Sequence, residues 1–356
     1  MSADNSIAVI AGDGIGTEVI PAAISTIDAA LKVHGHAFAW KEYDWGSEYY
    51  LRHGEMMPKQ GIETLSRHDA VFLGAVGLPD IPDTETLWGL LIPIRRELEQ
   101  YVNLRPIRAL SGIPSPVRGG DDIDVLLVRE NNEGEYSEIG GRVFRGLPEE
   151  AAIQENVFTR KGVSRIARYA AERARSRRGH LTSATKSNGI IHTMPFWDEV
   201  VEETLAGFPD VGLENILIDA LAAKLILKPQ SFDVIVASNL FGDILSDLAS
   251  AIAGSIGVAP SANINPEKKH PSLFEPVHGS APDIAGKGIA NPVGAIWTGA
   301  LMLDHLGFHA AGADLVSAFE AVLADGISTA DLGGSATTNE FAAAVVDRLR
   351  VGMGRR

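Results

Sequence analysis

Ile7-Ala8-Val9-Ile10-Ala11-Gly12-Asp13-Gly14-Ile15-Gly16-Thr17-Glu18 carries a strand, a turn and the start of a helix. The apolar run Ser6–Ala11 is short and β-branched, as a buried strand requires. It ends in Gly12-Asp13-Gly14-Ile15-Gly16. Beyond it Val19, Ile20, Ala23, Ile24, Ile27 and Leu31 recur at helical spacing, so Thr17 to Leu31 reads as an amphipathic helix. The glycines are spaced G-x-G-x-G, and Thr17 stands where a dinucleotide fingerprint needs its third glycine for helix–strand packing. No acidic residue ends a second strand about 20 residues on. The stretch therefore predicts an α/β fold that is not a Rossmann fold. A tight turn that brings backbone N–H groups to a ligand stays open.

The rest of the chain alternates in the same way. Ala70–Ala75, Val125–Val128, Leu181–Thr185 and Asp233–Ala237 read as strands. Helices are expected over Leu87–Tyr101, Val163–Ser176, Trp197–Ala206, Phe241–Ala253, Ala290–Leu306 and Thr337–Leu349. Such alternation argues for a largely parallel sheet. At 356 residues the chain is longer than one core usually serves, so two domains are expected.

Composition narrows the function. There is no cysteine, which excludes disulfides, thiolate ligands and a thiol nucleophile, and fits a reducing, cytoplasmic setting. The N-terminus shows no basic segment followed by an apolar run, so no leader is expected, and no stretch is apolar enough to span a bilayer. The net charge of −15 disfavours nucleic acid as a partner. The basic run from Arg160 to Arg178 puts Val163, Ile166, Ala167, Ala170, Ala171 and Ala174 on one side, and reads as a solvated helix face. An acidic protein that binds an anion needs a local reversal of sign, from a few arginines or a metal ion.

Candidate chemistry follows strand ends. In Phe241-Gly242-Asp243-Ile244-Leu245-Ser246-Asp247 two carboxylates lie four apart on one helix face. A hard cation such as Mg²⁺ or Mn²⁺ would relieve their repulsion. Two solvated carboxylates satisfy the same spacing, although the apolar neighbours Leu240, Ile244 and Leu248 fit that reading poorly. Asp219 ends the apolar run Ile216–Ile218 and offers a third oxygen ligand. Arg95, Arg105 and Arg129 form a set whose planar forks suit carboxylates, though each alone reads equally as an ion-pair partner. Tyr136 stands in a polar loop after Arg129 and can donate a proton; Lys186 follows a strand in Thr185-Lys186-Ser187-Asn188-Gly189 and beside a cation can act as a general base. The long segment Leu273–Pro292 is dense in Gly, Pro, Ser and Asn, as ligand-binding loops are.

Together these segments resemble the β-decarboxylating dehydrogenase family of isocitrate, isopropylmalate and tartrate/D-malate dehydrogenases. The likeness runs from Ile7 to about Phe341. The tartrate/D-malate branch is nearest, through Leu87-Trp88-Gly89, Gln100-Tyr101-Val102-Asn103-Leu104-Arg105-Pro106, Thr185–Gly189 and Pro260-Ser261-Ala262-Asn263-Ile264-Asn265-Pro266. The resemblance implies an isopropylmalate dehydrogenase-like α/β fold with a cleft between two domains. Residues 1–102 and 257–356 would form the larger, cofactor-binding domain. Residues 103–256 would form the smaller one, with the metal ligands and the interface of a homodimer. It implies that Arg95, Arg105 and Arg129 bind substrate, that Asp219, Asp243 and Asp247 hold Mg²⁺ or Mn²⁺, with Asp219 also lining the substrate site, and that Lys186 and Tyr136 transfer protons. Lys186 and Asp219 would enter from the other subunit. Glu275, His278, Gly279, Ser280, Ala281, Asp283, Ile284 and Asn291 would bind NAD, with Asp283 at the adenosine ribose and against a 2′-phosphate. A K⁺ requirement stays open.

The implied activity is oxidation, with β-decarboxylation, of a small 2-hydroxy dicarboxylic acid, D-malate or tartrate. No hydroxyl residue stands between Leu87 and Ile94, which argues against isocitrate. Leu90, Leu91 and Ile92 keep 3-isopropylmalate as the alternative, since an apolar pocket discriminates an alkyl group by only about 1–3 kcal/mol. A non-catalytic dimeric NAD-binding paralogue is the remote alternative; the complete set of matching positions argues against it.

Overall fold

The computed structural model describes residues 5–353. Residues 1–4 and 354–356, which the expected limits of the larger domain include, lie outside them, as does the start of the segment read for a leader. In chain order the strands are β1 (Asn5–Gly12), β2 (Phe38–Glu42), β3 (Ala70–Ala75), β4 (Val102–Arg108), β5 (Asp124–Glu130), β6 (Gly140–Val143), β7 (Ala151–Gln154), β8 (His180–Thr185), β9 (Gly212–Leu217), β10 (Val234–Ala237), β11 (Pro260–Ile264) and β12 (Ser272–Pro276). The chain forms two compact units. One holds residues up to Gln100, then Ala109–Pro116, then residues from Ala253 on; the other holds Tyr101–Arg108 and Val117–Ile252. The short excursion Ala109–Pro116 has no counterpart in the limits expected from sequence.

In the first unit the strands run β2-β1-β3-β12-β11. β1 pairs in parallel with β2 and β3, and β12 with β3, while β11 is antiparallel to β12. Side chains alternate across a strand. Ala8, Ile10, Val71, Leu73 and Leu273 therefore share a core with Leu90, Ile94 and Leu98, and Ile7, Val9, Phe72 and Phe274 point to the other face. These too are buried. A sheet covered on both faces explains why its strands read as continuous apolar runs. The helices Gly16–Val33 and Val293–His305 flank it, the second buried on every residue from Val293 to Ala300.

In the second unit the order is β4-β5-β10-β8-β9, with β5, β10, β8 and β9 mutually parallel. Their carboxyl ends therefore lie along one edge, where open α/β sheets place their sites. Arg129, Ser238, Lys186 and Ile218 stand at or just past those four ends. The helix Arg160–Arg175 buries all six residues assigned to its apolar side, and its outer arginines pair with acids, Arg160 with Glu199 and Glu203 and Arg175 with Asp210.

One local expectation needs correction. Leu87–Tyr101 is not one helix: a π-helical turn, Leu87–Leu91, precedes the α-helix Ile92–Glu97, and Glu99 takes a φ of 46° before β4. The apolar run before Asp219 is divided between strand and helix: β9 stops at Leu217, and Asp219 lies in the first turn of the helix Ile218–Leu227. The antiparallel β6–β7 hairpin was unforeseen. All of its strand residues are exposed, and so are Ile139, Phe144 and Leu147 beside them. None of the described helices is long and apolar enough to cross a membrane.

Candidate active site

Five of the expected site residues meet at the carboxyl edge of the second unit. Arg129, the penultimate residue of β5, is 2% exposed. Its stem passes directly over Gly242, where a Cβ would come within 2.6 Å of Arg129 Cγ. The helix Asn239–Ile252 can approach β5 only because that residue is glycine. The guanidinium donates to Asn239 Oδ1 from Nε (3.1 Å) and Nη2 (2.7 Å), and from Nη1 to Asp243. Arg105, on β4, donates from Nε to Asn103 Oδ1 at 2.9 Å and from Nη1 to Ser246; its Nη2 lies 3.5 Å from Asp243 and its Nη1 3.4 Å from Asp247. Tyr136 Oη donates to Asp243 Oδ2 at 2.9 Å, with the Arg129 guanidinium 5.6 Å from its ring centre.

Asp243 thus sits between two buried guanidinium groups and a phenol. Burial pushes the Asp247 carboxyl above its ordinary range; Arg105 opposes this, Asp243 adds to it, and Arg129 opposes it. The Asp247 side chain is still 56% exposed, so its oxygens are open to a ligand. Sequence reasoning missed Asn239, Asn103 and Ser246. A signal for Asn239 existed: it stands four residues before Asp243 on the same helix face.

Lys186 and Asp219 belong to a separate pair. Lys186 Nζ donates to Asp219 Oδ1 at 2.8 Å, and this holds the Asp219 carboxyl below its usual range. The side chains are 31% and 67% exposed. The turn Lys186–Ile190 orients the lysine, whose carbonyl accepts from Gly189 N and Ile190 N.

Asp243 and Asp247 supply hard carboxylate oxygens one helical turn apart, the right kind for Mg²⁺ or Mn²⁺. Among the described residues no three acidic or histidine groups of one chain converge. The two carboxylates therefore fit such an ion in donor type.

The remaining candidates lie in the first unit. Arg95 is buried and donates to Glu275 Oε1 at 2.7 Å, which also accepts from Asn263 Nδ2 at 2.7 Å. One member of the expected arginine set is thus tied to one member of the expected cofactor set. Of the specificity segment, Leu90 is fully buried in the core and Ile92 is buried; Trp88 lies under the Arg96 guanidinium at 5.1 Å.

The segment around His278–Asn291 is fastened at several points. Ile15 N donates to Ser280 O at 2.8 Å, and a Cβ on Gly14 (φ 54°) would collide with that carbonyl at 2.0 Å. Asp13 accepts from Ser47 N (3.0 Å) and Gly77 N (2.7 Å). The glycine-rich turn thus spends the N–H groups of Asp13 and Ile15 on the protein itself and shapes the loop that follows β12. Glu18 accepts from Gly286 N and Gly288 N, and Asn291 joins Asp331 at 2.9 Å while its Oδ1 accepts from Val293 N. Within this frame Gly279 and Asp283 are exposed, and Ser280, Ala281 and Ile284 are half-buried. His278 Nδ1 meets Gly279 O at 3.0 Å and so carries the ring proton. Its buried Nε2 has no hydrogen-bond partner. Burial also lowers the His278 pKa, keeping the ring neutral and Nε2 an acceptor. An unpartnered acceptor and an exposed carboxylate in one segment match in donor type a ligand with an amino group and sugar hydroxyls, such as the adenosine of NAD.

Known proteins similar to this chain define its family. The family model for isocitrate/isopropylmalate dehydrogenase matches residues 6–345. The chain is 56% identical to a probable tartrate dehydrogenase/decarboxylase of Bacillus subtilis, covering 97% of this chain and 98% of that protein. It is 54% identical to the D-malate dehydrogenase (decarboxylating) of Escherichia coli, covering 95% and 97%. Among solved structures, isocitrate dehydrogenase from Methylococcus capsulatus superposes with a TM-score of 0.88 at 35% identity, over 97% and 99% of the two chains. A β-decarboxylating dehydrogenase from Thermococcus kodakarensis gives 0.80 at 38%, over 98% and 97%. The chain belongs to the isocitrate/isopropylmalate dehydrogenase family. It is an oxidoreductase acting on a CH–OH group, of the decarboxylating kind.

Proposed function

We propose that this enzyme oxidises D-malate or tartrate, with loss of the β-carboxylate where the substrate allows it, using NAD and Mg²⁺ or Mn²⁺ as a cytoplasmic homodimer. The observation that carries the reading is the convergence of Arg105, Arg129, Tyr136, Asp243 and Asp247 on one edge of a parallel sheet. Asp243 and Asp247, with the partner subunit's Asp219, would hold the cation. Bound there, the cation would supply Lewis-acid activation of the substrate hydroxyl, and NAD⁺ would supply the hydride acceptor.

The chain's own residues do the rest. Arg105 and Arg129 offer guanidinium edges to the substrate carboxylates. The partner subunit's Lys186 receives the hydroxyl proton at Nζ. After CO₂ leaves, Tyr136 Oη supplies a proton to the carbon that carried it. His278 Nε2 accepts from the adenine amino group, and Asp283 accepts ribose hydroxyls and repels a 2′-phosphate. The exposed apolar side chains Ile139, Phe144, Leu147 and Ile153 support burial of the β6–β7 hairpin against a second copy. Leu90 in the core leaves less apolar lining for an alkyl group, which supports D-malate or tartrate over 3-isopropylmalate. The test follows NADH formation across these acids, with and without a chelator. D-malate or a tartrate stereoisomer should be preferred, and activity should vanish with chelator and return with Mn²⁺. Strong preference for 3-isopropylmalate, or turnover that survives chelation, would overturn the reading.

A further inference from the structure

The loop from Glu130 to Tyr136 contains three glutamates, and none of them has a place in the chemistry above. Each carboxylate instead holds backbone. Glu130 Oε2 accepts from Asn132 N (2.9 Å) and Glu133 N (2.6 Å), fixing the loop's own turn. Glu133 accepts from Thr159 N (2.8 Å) and Thr159 Oγ1 (2.7 Å), fixing the loop to the start of the helix Arg160–Arg175. Gly134 exchanges two backbone hydrogen bonds with Val157.

Glu135 reaches the helix that carries Asp243. Its Oε1 accepts from Ser238 Oγ at 2.7 Å and its Oε2 from Leu240 N at 3.0 Å. These groups flank Asn239, the first residue of the helix Asn239–Ile252. A carboxylate there satisfies an otherwise orphaned N–H and meets the positive end of the helix dipole. The adjacent residue is Tyr136, whose hydroxyl meets Asp243 one turn further along the same helix. Asn239 closes the frame: its Nδ2 donates to Glu133 O at 3.2 Å and its Oδ1 receives Arg129. The Tyr136 loop and the Asp243 helix are joined through Glu135 by two bonds and through Tyr136 itself by one. The first two set where the third can form.

We propose that Glu135 is a positioning residue, which sets the Tyr136 hydroxyl against Asp243 by clamping the loop to the first turn of the Asp243 helix. This rests on the reading of Tyr136 as the proton donor. Misplacement of a donor by about 1 Å costs about 10²-fold in rate.

The test measures kcat, KM and melting temperature for Glu135→Ala and Glu135→Gln, each alone and combined with Tyr136→Phe, using D-malate, NAD⁺ and Mn²⁺. Glu135→Ala should lower kcat by about 10- to 100-fold and leave the NAD⁺ KM within about threefold. Glu135→Gln, which keeps one acceptor oxygen, should recover most of the loss and serves where the alanine variant folds poorly. Once Tyr136→Phe is present, Glu135→Ala should cost less than about threefold more, because residues acting as a unit are not additive. An equal cost in both backgrounds, or undiminished kcat in folded Glu135→Ala, would overturn the inference. Full turnover in Tyr136→Phe alone would instead overturn the role of the tyrosine, and the inference would fall with it.

Discussion

Arg129 and Lys186 stand at or just past the ends of β5 and β8, two strands apart and so separated by about 10 Å, and each is paired with an aspartate. The pairs are built differently. Arg129 is buried, braced by Asn239 and Gly242, and shares Asp243 with Arg105 and Tyr136. Lys186 is half-buried and Asp219 is largely exposed, and the lysine Nζ donates to the Asp219 carboxylate. The first pair is a finished arrangement within one chain. The second is a single ion pair open to solvent on one side. A buried ion pair costs much to break from one side, and an exposed one costs little.

That contrast can be broken in several ways. The largest effect expected is on catalysis: Lys186→Ala should cut turnover by about 10³-fold, the loss typical of a missing general base, yet leave the melting temperature and NAD⁺ affinity unchanged. Steady-state kinetics, a thermal scan and NAD⁺ titration check this together, and retained turnover removes the lysine from its role. Arg129→Ala should do what the lysine variant does not and destabilise the fold, by about 3 kcal/mol in chemical denaturation, because Asp243 loses its buried partner. Equal stability of the two variants would erase the distinction.

Glu130, next to Arg129, sharpens it further. Its carboxyl is fully buried, and burial raises its pKa to about 7 against the favourable amides of Glu133 and Asn132; the Glu133 carboxylate adds to the rise and Arg165, stacked on Tyr101, opposes it. The ordinary value is 4.5, so between about pH 4.5 and 7 the folded chain holds more proton than the unfolded one. Stability from this group is complete below that window and is lost as pH rises through it, by roughly 3 kcal/mol in total. Denaturation across pH 5 to 8 should show the loss in the native protein and not in Glu130→Gln; parallel curves would contradict it. The smallest effect concerns the first unit, where Asp283→Ala should narrow the preference for NAD over NADP by about tenfold in kcat/KM, the scale of one lost charge contact. No change would place the ribose elsewhere.

The sequence made the strand ends legible because strands buried on both faces are short apolar runs, and the residue after each run is where chemistry concentrates. Asp243 and Asp247 were legible from helical spacing alone. Lys186 and Asp219 were legible only as a lone base and a lone oxygen ligand past apolar runs, and their assignment to the other subunit came from family resemblance. What stayed hidden was set by distant partners. The π turn at Leu87–Leu91 and the break at Glu99 have no local signal as strong as a proline. The β6–β7 hairpin has no buried face to give it an alternating pattern. Glu130, Glu133 and Glu135 look like solvated charge in the sequence, and only the folded chain shows each holding backbone amides. The glycine-rich turn was recognised as unlike a nucleotide fingerprint, but its work of supporting the Ser280 segment needed the fold.

The central claim is that each site draws Tyr136 and the Asp243 pair from one chain and Lys186 and Asp219 from the other. The direct measurement co-expresses Lys186→Ala with Tyr136→Phe, each expected to keep only residual turnover alone, and assays the whole population of dimers that forms. Random pairing in a two-fold dimer gives one intact site in half of the dimers, so activity should return to about one quarter of the native value. Mixed dimers as inactive as either parent would show that lysine and tyrosine serve the same site from the same chain.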